Sequence, residues 1–165
     1  MGRYRPPQPQ GSKFITPQGY QRLQKELNYL WKDKRPEVTK AITAAAAEGD
    51  RSENAEYIYR KKQLREIDSR VRFLRKRLEN MKVVNEKPSD ETKVFFGAWV
   101  TLEDENGDEV KYRIVGPDEF DYQHNLISMD SPLAKALMGK SLDSDVVVET
   151  PQGQKEYYIV AIHYE

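Results

Sequence analysis

Apolar residues between positions 16 and 48 recur every three or four positions, which is the pattern of a coiled-coil helix. Thr16 is a favoured N-cap and Pro17 is tolerated as the first helical residue. The series then runs through Tyr20, Leu23, Leu27 and Leu30, and resumes one residue out of step at Val38, Ile42 and Ala45. Pro36 lies where the series shifts, and it predicts a kink because proline removes a backbone hydrogen bond. The pattern predicts one kinked helix that ends in the alanine stretch 44–47.

A second apolar series follows a break predicted at Gly49. We expect the second helix to begin by about Ser52 or Glu53. Its seam, spaced at strict intervals of three and four residues, contains Tyr57, Arg60, Leu64, Ile67, Val71, Leu74, Leu78 and Met81. Two heptad helices joined by a few residues lie antiparallel. The sequence therefore predicts a helical hairpin whose arms of about 30 residues make a rod roughly 45 Å long.

Beyond a polar linker at residues 84–92, the pattern changes to short alternating segments typical of strands. Strands are predicted at 94–102, 110–115, 126–129, 146–149 and 157–164, and a short helix opened by Ser131 is predicted at 132–138. Asn106-Gly107 is a strong hairpin signal. The fold class is therefore α+β, with an N-terminal antiparallel coiled-coil hairpin followed by a small α+β domain. The predicted divisions are a disordered leader at 1–13, the hairpin at 14–83, the linker at 84–92 and the domain at 93–165.

Composition excludes several classes of protein. The chain has 165 residues and no cysteine, so it has neither a disulfide framework nor a thiolate metal site. No apolar run approaches the roughly 20 residues of a membrane span, and the N-terminal stretch lacks the apolar core of a signal peptide. We expect a cytoplasmic protein with no membrane partner.

The net charge of zero conceals an asymmetry between the two halves. Residues 1–84 contain 20 basic and 10 acidic side chains, whereas residues 85–165 contain 7 and 17. A basic half suits a nucleic acid such as RNA or DNA, and an acidic half suits a basic protein surface. The alternative is that the two halves attract each other.

The turn of the predicted hairpin reads Gly-Asp-Arg-Ser-Glu-Asn-Ala-Glu-Tyr over residues 49–57. Asp50 and Glu53 lie three apart, so they fall on one side of a first helical turn. Local sequence favours a capping box, with Asp50 as the N-cap and Glu53 reaching back. The other interpretation is a partial Mg²⁺ site, since Mg²⁺ is held by one or two carboxylates plus other oxygens. Such a site needs ligands from a partner, so the isolated protein would have no activity.

The chain resembles the bacterial GreB-type transcript-cleavage factors of the GreA/GreB family. The tip and second helix match in RPEVTKAITAAAAEGDRSENAEYIYRKKQLREIDSRVRFL, and the C-terminal domain matches in VFFGAWVTLED and in YRIVGPDEF…ISMDSPLAKALMGK. The resemblance covers about residues 14–165. It implies an FKBP-like C-terminal domain that docks on the rim of the secondary channel of bacterial RNA polymerase.

The resemblance also implies a mechanism. The hairpin enters the channel, and Asp50 and Glu53 act as the catalytic residues that hold a second Mg²⁺ beside the one held by the polymerase's own aspartates. The expected role is that of an accessory factor, not an enzyme. It stimulates endonucleolytic cleavage of the displaced RNA 3′ end and so restarts backtracked polymerase.

A basic stripe follows the tip, and the resemblance implies that it holds the extruded RNA. Its members are Arg60, Lys61, Lys62, Arg65, Arg70, Arg72, Arg75, Lys76 and Arg77. We predict RNA contact for Arg60, Lys61 and Arg65, which lie nearest the tip. The alternative is a solvated helix face with i,i+4 partners, although only Glu66, Asp68 and Glu79 are available for pairing within the stripe.

Other residues have simpler interpretations. Ser52 is interpreted as a helix cap, Tyr57 as a seam residue, Trp31 and Trp99 as packing residues, and His124 and His163 as surface residues.

Three rival functions are a channel-binding regulator without cleavage activity, a plain coiled-coil interaction module and a free-standing nuclease. The intact tip acids disfavour the first, and two exposed carboxylates are too few for the third.

Overall fold

Residues 11–48 and 54–165 are described by the computed structural model of the chain. They fall into two compact units. One unit contains residues 18–81, and the other contains residues 82–165 together with the segment 11–17. The predicted α+β class, with a long helical hairpin followed by a sheet-rich domain, is confirmed.

The hairpin is built from α1 (Pro17–Tyr29), α2 (Arg35–Ala47) and α3 (Ala55–Asn80). At 1.5 Å per residue, α3 alone is about 39 Å long. The predicted seam is confirmed, because its residues are the ones removed from water. The buried seam residues are Leu23, Val38, Ala45, Ile67, Val71 and Leu74.

A π turn (Leu30–Lys34) separates α1 from α2 and ends two residues before Pro36. The backbone N–H of Arg35 donates to the carbonyl of Leu30, five residues back. A π turn inserts one extra residue into a helix, which accounts for the one-residue shift in the apolar series. The kink predicted at Pro36 therefore takes the form of a π turn. The wider turn also relieves the clash that a proline ring makes with the carbonyl four residues before it.

The C-terminal unit contains a five-stranded sheet of β3 (Trp99–Glu103), β4 (Glu109–Val115), β5 (Leu126–Ser128), β6 (Asp145–Thr150) and β7 (Gly153–His163). The strands lie in the spatial order β5-β4-β3-β7-β6. Neighbours are antiparallel except for β4 and β5, which are parallel. Helix α4 (Pro132–Leu137) starts after Ser131, whose hydroxyl accepts from the Ala134 N–H as predicted. The first strand begins five residues later than predicted, after a turn in which Gly97 has a φ of +86°.

The segment before α1 packs on the C-terminal unit. Strand β1 (Phe14–Ile15) pairs in parallel with β2 (Lys82–Val83). The backbone N–H and the hydroxyl of buried Thr16 both donate to the carboxylate of buried Glu119. This differs from the predicted boundary, which assigned residues from 14 onward to the hairpin. Two-residue strands carry no periodicity, so the pairing could not be read from sequence.

The predicted leader is only partly within the described residues. Residues 1–10 lie outside them. Ser12 is described, and its hydroxyl and backbone N–H donate to the two carboxylate oxygens of Asp130 at 2.5 and 3.0 Å. Within the described part of the chain, no helix combines the length and the apolarity required to cross a membrane.

Candidate functional site at the hairpin tip

The two predicted metal ligands, Asp50 and Glu53, lie outside the described residues, as does the rest of the segment 49–53. The structure describes the residues on either side of this segment. Helix α2 ends at Ala47, and the backbone N–H of Glu48 donates to the Ala45 carbonyl at 3.2 Å. Helix α3 begins at Ala55. The tip acids are therefore carried between these two helix ends.

Asn54 is the N-cap of α3. Its backbone is extended, with φ −85° and ψ 99°, and its side-chain oxygen accepts from the Tyr57 N–H at 3.1 Å. The helix therefore starts later than the predicted Ser52 or Glu53, because asparagine is as strong a cap as serine or aspartate. The capping box with Asp50 as its N-cap is wrong for α3, and so is the interpretation of Ser52 as its cap. Capping of α3 does not account for the two acids.

The Asn54 side chain makes a second hydrogen bond, across the turn. Its Nδ2 atom donates to the carbonyl of Ala45, in the last turn of α2, at 2.6 Å. The C-terminal end of α2 and the N-terminal end of α3 are thus joined through one amide. Sequence analysis missed this contact. Its only sequence signal is an asparagine where serine or aspartate would cap equally well.

Among the predicted RNA-binding residues, Arg60 differs from the other two. Its guanidinium contacts Glu56 at 2.9 Å and the Gln63 side-chain oxygen at 3.0 Å. The hydrogen bond to Glu56 raises the pKa of Arg60. Lys61 and Arg65 are exposed, and neither forms an ion pair with any residue that the structure describes. They lie one turn apart and present two cations to solvent near the tip.

The exposed cations Arg72 and Lys76 extend this face of α3. Together with Lys61 and Arg65 they follow spacings of four, seven and four residues, which place them on one side of a helix. We call these four residues the basic face. It lies opposite the seam that contains Ile67 and Leu74.

Trp31 is not the packing residue that we predicted. It lies in the π turn with 44% of its surface exposed. The guanidinium carbons of Arg75 and Arg35 lie 4.4 and 5.2 Å from its ring centroid, within the range of cation–π attraction. The ring therefore packs against two guanidinium groups.

Comparison with known proteins identifies the family. A family profile described as "Transcription elongation factor, N-terminal" matches residues 13–83, and one described as "Transcription elongation factor, GreA/GreB, C-term" matches residues 88–164. The chain belongs to the GreA/GreB family of transcription elongation factors. It is 64% identical to transcription elongation factor GreB of Pseudomonas aeruginosa, over 99% of this chain and 98% of that protein.

Other relatives are similar over nearly their whole length. Transcription elongation factor GreB of Pasteurella multocida is 60% identical, over 93% of this chain and 98% of that protein. Among solved structures, the transcription factor Gfh1 is 26% identical with a TM-score of 0.44, over 93% of this chain and 99% of that one. As a family member, the chain is a transcription elongation factor, and such factors act with RNA polymerase.

The C-terminal unit of this GreA/GreB family member has an apolar cavity of about 420 Å³ that sequence analysis missed. Its lining includes Tyr112, Pro117, Phe120, Tyr122, Pro132 and Leu133. Phe120 and Tyr122 are 52% and 76% exposed, and their rings meet edge to face with centroids 5.5 Å apart. Exposed aromatic rings beside an apolar cavity are features of binding surfaces. Both rings belong to a loop and a 3₁₀ turn, where no periodicity distinguishes exposed from buried residues.

The histidines lie where the sequence predicted. His124 is exposed and contacts Asp121 at 2.6 Å, which lowers the pKa of that carboxyl. His163 is exposed at the end of β7. Within residues 11–48 and 54–165, no group of three or more His, Cys, Asp or Glu side chains could hold a metal ion. The Mg²⁺ site predicted at Asp50 and Glu53 lies outside the described residues and stays a prediction.

Proposed function

We propose that this elongation factor stimulates endonucleolytic cleavage of backtracked RNA by bacterial RNA polymerase, as an accessory factor and not as an enzyme. The observation that carries the proposal is the cap of α3. Because Asn54 caps that helix, the helix start requires neither Asp50 nor Glu53. Two carboxylates carried between the ends of two long helices suit delivery to a site on a partner.

Asp50 and Glu53 are the residues that would hold Mg²⁺, with the remaining ligands supplied by the polymerase and its RNA. A second metal in a two-metal site stabilises the attacking and leaving oxygens of a phosphodiester displacement. The role of the hairpin is to carry the two carboxylates to the position of the second metal and hold them there. The Mg²⁺ concentration required for cleavage should therefore depend on both acids.

The dimensions and charge of the hairpin support entry into the secondary channel. Near its end α2 consists of alanines, of which Ala45 is 97% buried. Small residues allow a thin tip, which suits a narrow passage. Lys61 and Arg65, and Arg60 where Glu56 releases it, would contact the phosphates of the displaced RNA 3′ end.

The C-terminal unit would dock on the rim of the channel. Its half of the chain carries 17 acidic and 7 basic residues, which favours a basic protein surface. The apolar cavity beside Phe120 and Tyr122 supplies the buried contact that a stable interface needs at its centre.

The test uses stalled, backtracked bacterial elongation complexes in Mg²⁺, to which wild type or the Asp50→Asn/Glu53→Gln double variant is added. Wild type should release 3′ RNA fragments, and the variant should compete for polymerase without releasing them. RNA alone should remain intact with either protein. A Tyr122→Asp variant, which keeps the tip, should require a higher concentration for the same maximal rate.

Two results would contradict the proposal. Wild type that binds polymerase without accelerating cleavage would be a channel-occupying regulator. A double variant as active as wild type would remove the tip acids from the reaction.

A further inference from the structure

The amide side chain of Asn54 forms hydrogen bonds to the ends of two different helices. Its Oδ1 atom accepts from the Tyr57 N–H at 3.1 Å, at the start of α3. Its Nδ2 atom donates to the Ala45 carbonyl at 2.6 Å, at the end of α2. Both bonds come from one planar group, so Asn54 fixes the two helix ends relative to each other.

The chemistry of an amide matches both ends. The first N–H groups of a helix lack acceptors and its last carbonyls lack donors, and the helix dipole makes those ends positive and negative respectively. An amide offers an oxygen to one and an N–H to the other. Serine or aspartate would cap α3 as well as asparagine does. A serine side chain ends one bond short of Nδ2, and a carboxylate has no hydrogen to donate.

The surroundings favour a persistent bond. Ala45 is 3% exposed, and Asn54 is half-buried. The Ala45 carbonyl also accepts from the Glu48 N–H at 3.2 Å. Reduced contact with water strengthens a hydrogen bond electrostatically. The bond to Ala45 is therefore placed where it can restrain the backbone on both sides of the turn.

We propose that Asn54 is a positioning residue for the cleavage reaction. By joining Ala45 to the start of α3, it fixes the separation of the two backbone points between which Asp50 and Glu53 are carried. This inference rests on the proposed function. Mg²⁺ demands near-ideal octahedral geometry at about 2.0–2.1 Å, so two carboxylates serve one ion only if their carrier is held in place.

The experiment compares wild type, Asn54→Ser and Asn80→Ser in cleavage of backtracked complexes. Asn54→Ser keeps a neutral N-cap and loses the donor to Ala45. Asn80→Ser is the matched control, because its amide also donates to a backbone carbonyl, that of Lys76, at 2.9 Å at the far end of α3. Circular dichroism and thermal melting report folding, and the concentration for half-maximal cleavage reports binding.

Asn54→Ser should keep the helix content, melting temperature and half-maximal concentration of wild type. Its maximal rate should fall on the order of 10- to 100-fold, the cost of misplacing a reacting group slightly. The Mg²⁺ concentration for half-maximal rate should rise. Asn80→Ser should match wild type in every measurement. Asn54→Asp, which caps α3 but also lacks the donor, should lose rate as Asn54→Ser does.

Two results would overturn the inference while the proposed function stands. In one, Asn54→Ser cleaves at the wild-type rate with the wild-type Mg²⁺ dependence. In the other, both Asn54 variants unfold or lose polymerase binding, which would make the residue structural. If wild type itself fails to accelerate cleavage, the proposed function fails first and the positioning role fails with it.

Discussion

Arg35 on α2 and Asp68 on α3 form an ion pair across the hairpin, with Nε of the guanidinium 2.8 Å from Oδ1 of the carboxylate. The hydrogen bond to Asp68 raises the pKa of Arg35. Asp68 is one of the three acids available for pairing within the basic stripe, but it pairs with a residue of the other helix. Arg70 also pairs with the other arm of the hairpin, since its guanidinium binds the Glu26 carboxylate through two hydrogen bonds of 2.7 and 3.0 Å.

Lys61 and Arg65, the end of the basic face nearest the tip, should therefore contact the displaced RNA. Replacing Lys61 and Arg65 together with alanine should weaken the hold on the displaced RNA, because two cations near the tip are removed. For single-stranded RNA, the slope of log K against log salt is negative. The loss of two phosphate contacts should reduce its magnitude by about 1.4. The measurement is the concentration for half-maximal cleavage at several salt concentrations.

The control for this variant is Arg72→Ala/Lys76→Ala. It removes the same number of charges from the same face, 11 residues further along α3 and so roughly 16 Å further from the tip. With RNA backtracked by only a few nucleotides, the control should behave as wild type. Equal loss in the two variants would indicate general attraction of the hairpin to polymerase and not contact with the RNA 3′ end.

Gly116 lets the segment before α1 approach the C-terminal unit. A Cβ atom added there would lie 2.0 Å from the backbone carbonyl of Phe14, so alanine must displace β1. We expect Gly116→Ala to lower the free energy of unfolding by about 1–3 kcal/mol. Denaturant unfolding measures this loss. Amide exchange should accelerate at Lys82 and Val84, whose N–H groups donate to residues 13 and 15.

Gly11→Ala is the matched control in the same segment. Its added Cβ would lie 3.4 Å from the nearest atom, the Asp130 carboxylate oxygen, which is ordinary contact. It should change stability little. If Gly116→Ala matches it, the packing of Phe14 onto the C-terminal unit contributes nothing to folding.

The hairpin was predictable because its contacts follow local periodicity. Leu23, Val38 and Ile67 are buried at the positions their spacing indicated, and the strands of the C-terminal unit follow alternation in the same way. The pairing of Phe14 with Lys82 was not predictable, since two residues carry no pattern and their partners are distant in sequence.

The geometry beside the candidate site was not predictable from the sequence. The motif identified Asp50 and Glu53, which lie outside the described residues and stay a prediction. Capping was assigned to the wrong residue, because Asp50, Ser52 and Asn54 are all good N-caps and sequence does not decide among them. The hydrogen bond from Asn54 to Ala45 depends on how the ends of α2 and α3 are placed relative to each other. The sequence pattern of one helix does not predict that placement.

Tyr164 should make the C-terminal unit sensitive to alkali. Its hydroxyl donates to the Lys93 carbonyl at 2.6 Å and accepts from the Phe95 N–H at 2.9 Å, and burial raises its pKa above the ordinary value. A raised pKa means that the folded state favours the protonated phenol. The stabilisation is therefore complete below about pH 10, the pKa of an unfolded tyrosine, and is lost as pH rises through the folded value.

Tyr164→Phe tests this directly. The variant should be less stable at neutral pH by roughly 1–3 kcal/mol, because the Phe95 N–H loses its acceptor. Its free energy of unfolding should then decline less than that of wild type above pH 10. Tyr122→Phe alters a tyrosine that is 76% exposed, and it should keep the wild-type alkaline decline. A Tyr164→Phe curve parallel to wild type would assign that decline to other groups, with the Tyr164 hydroxyl acting only through its hydrogen bonds.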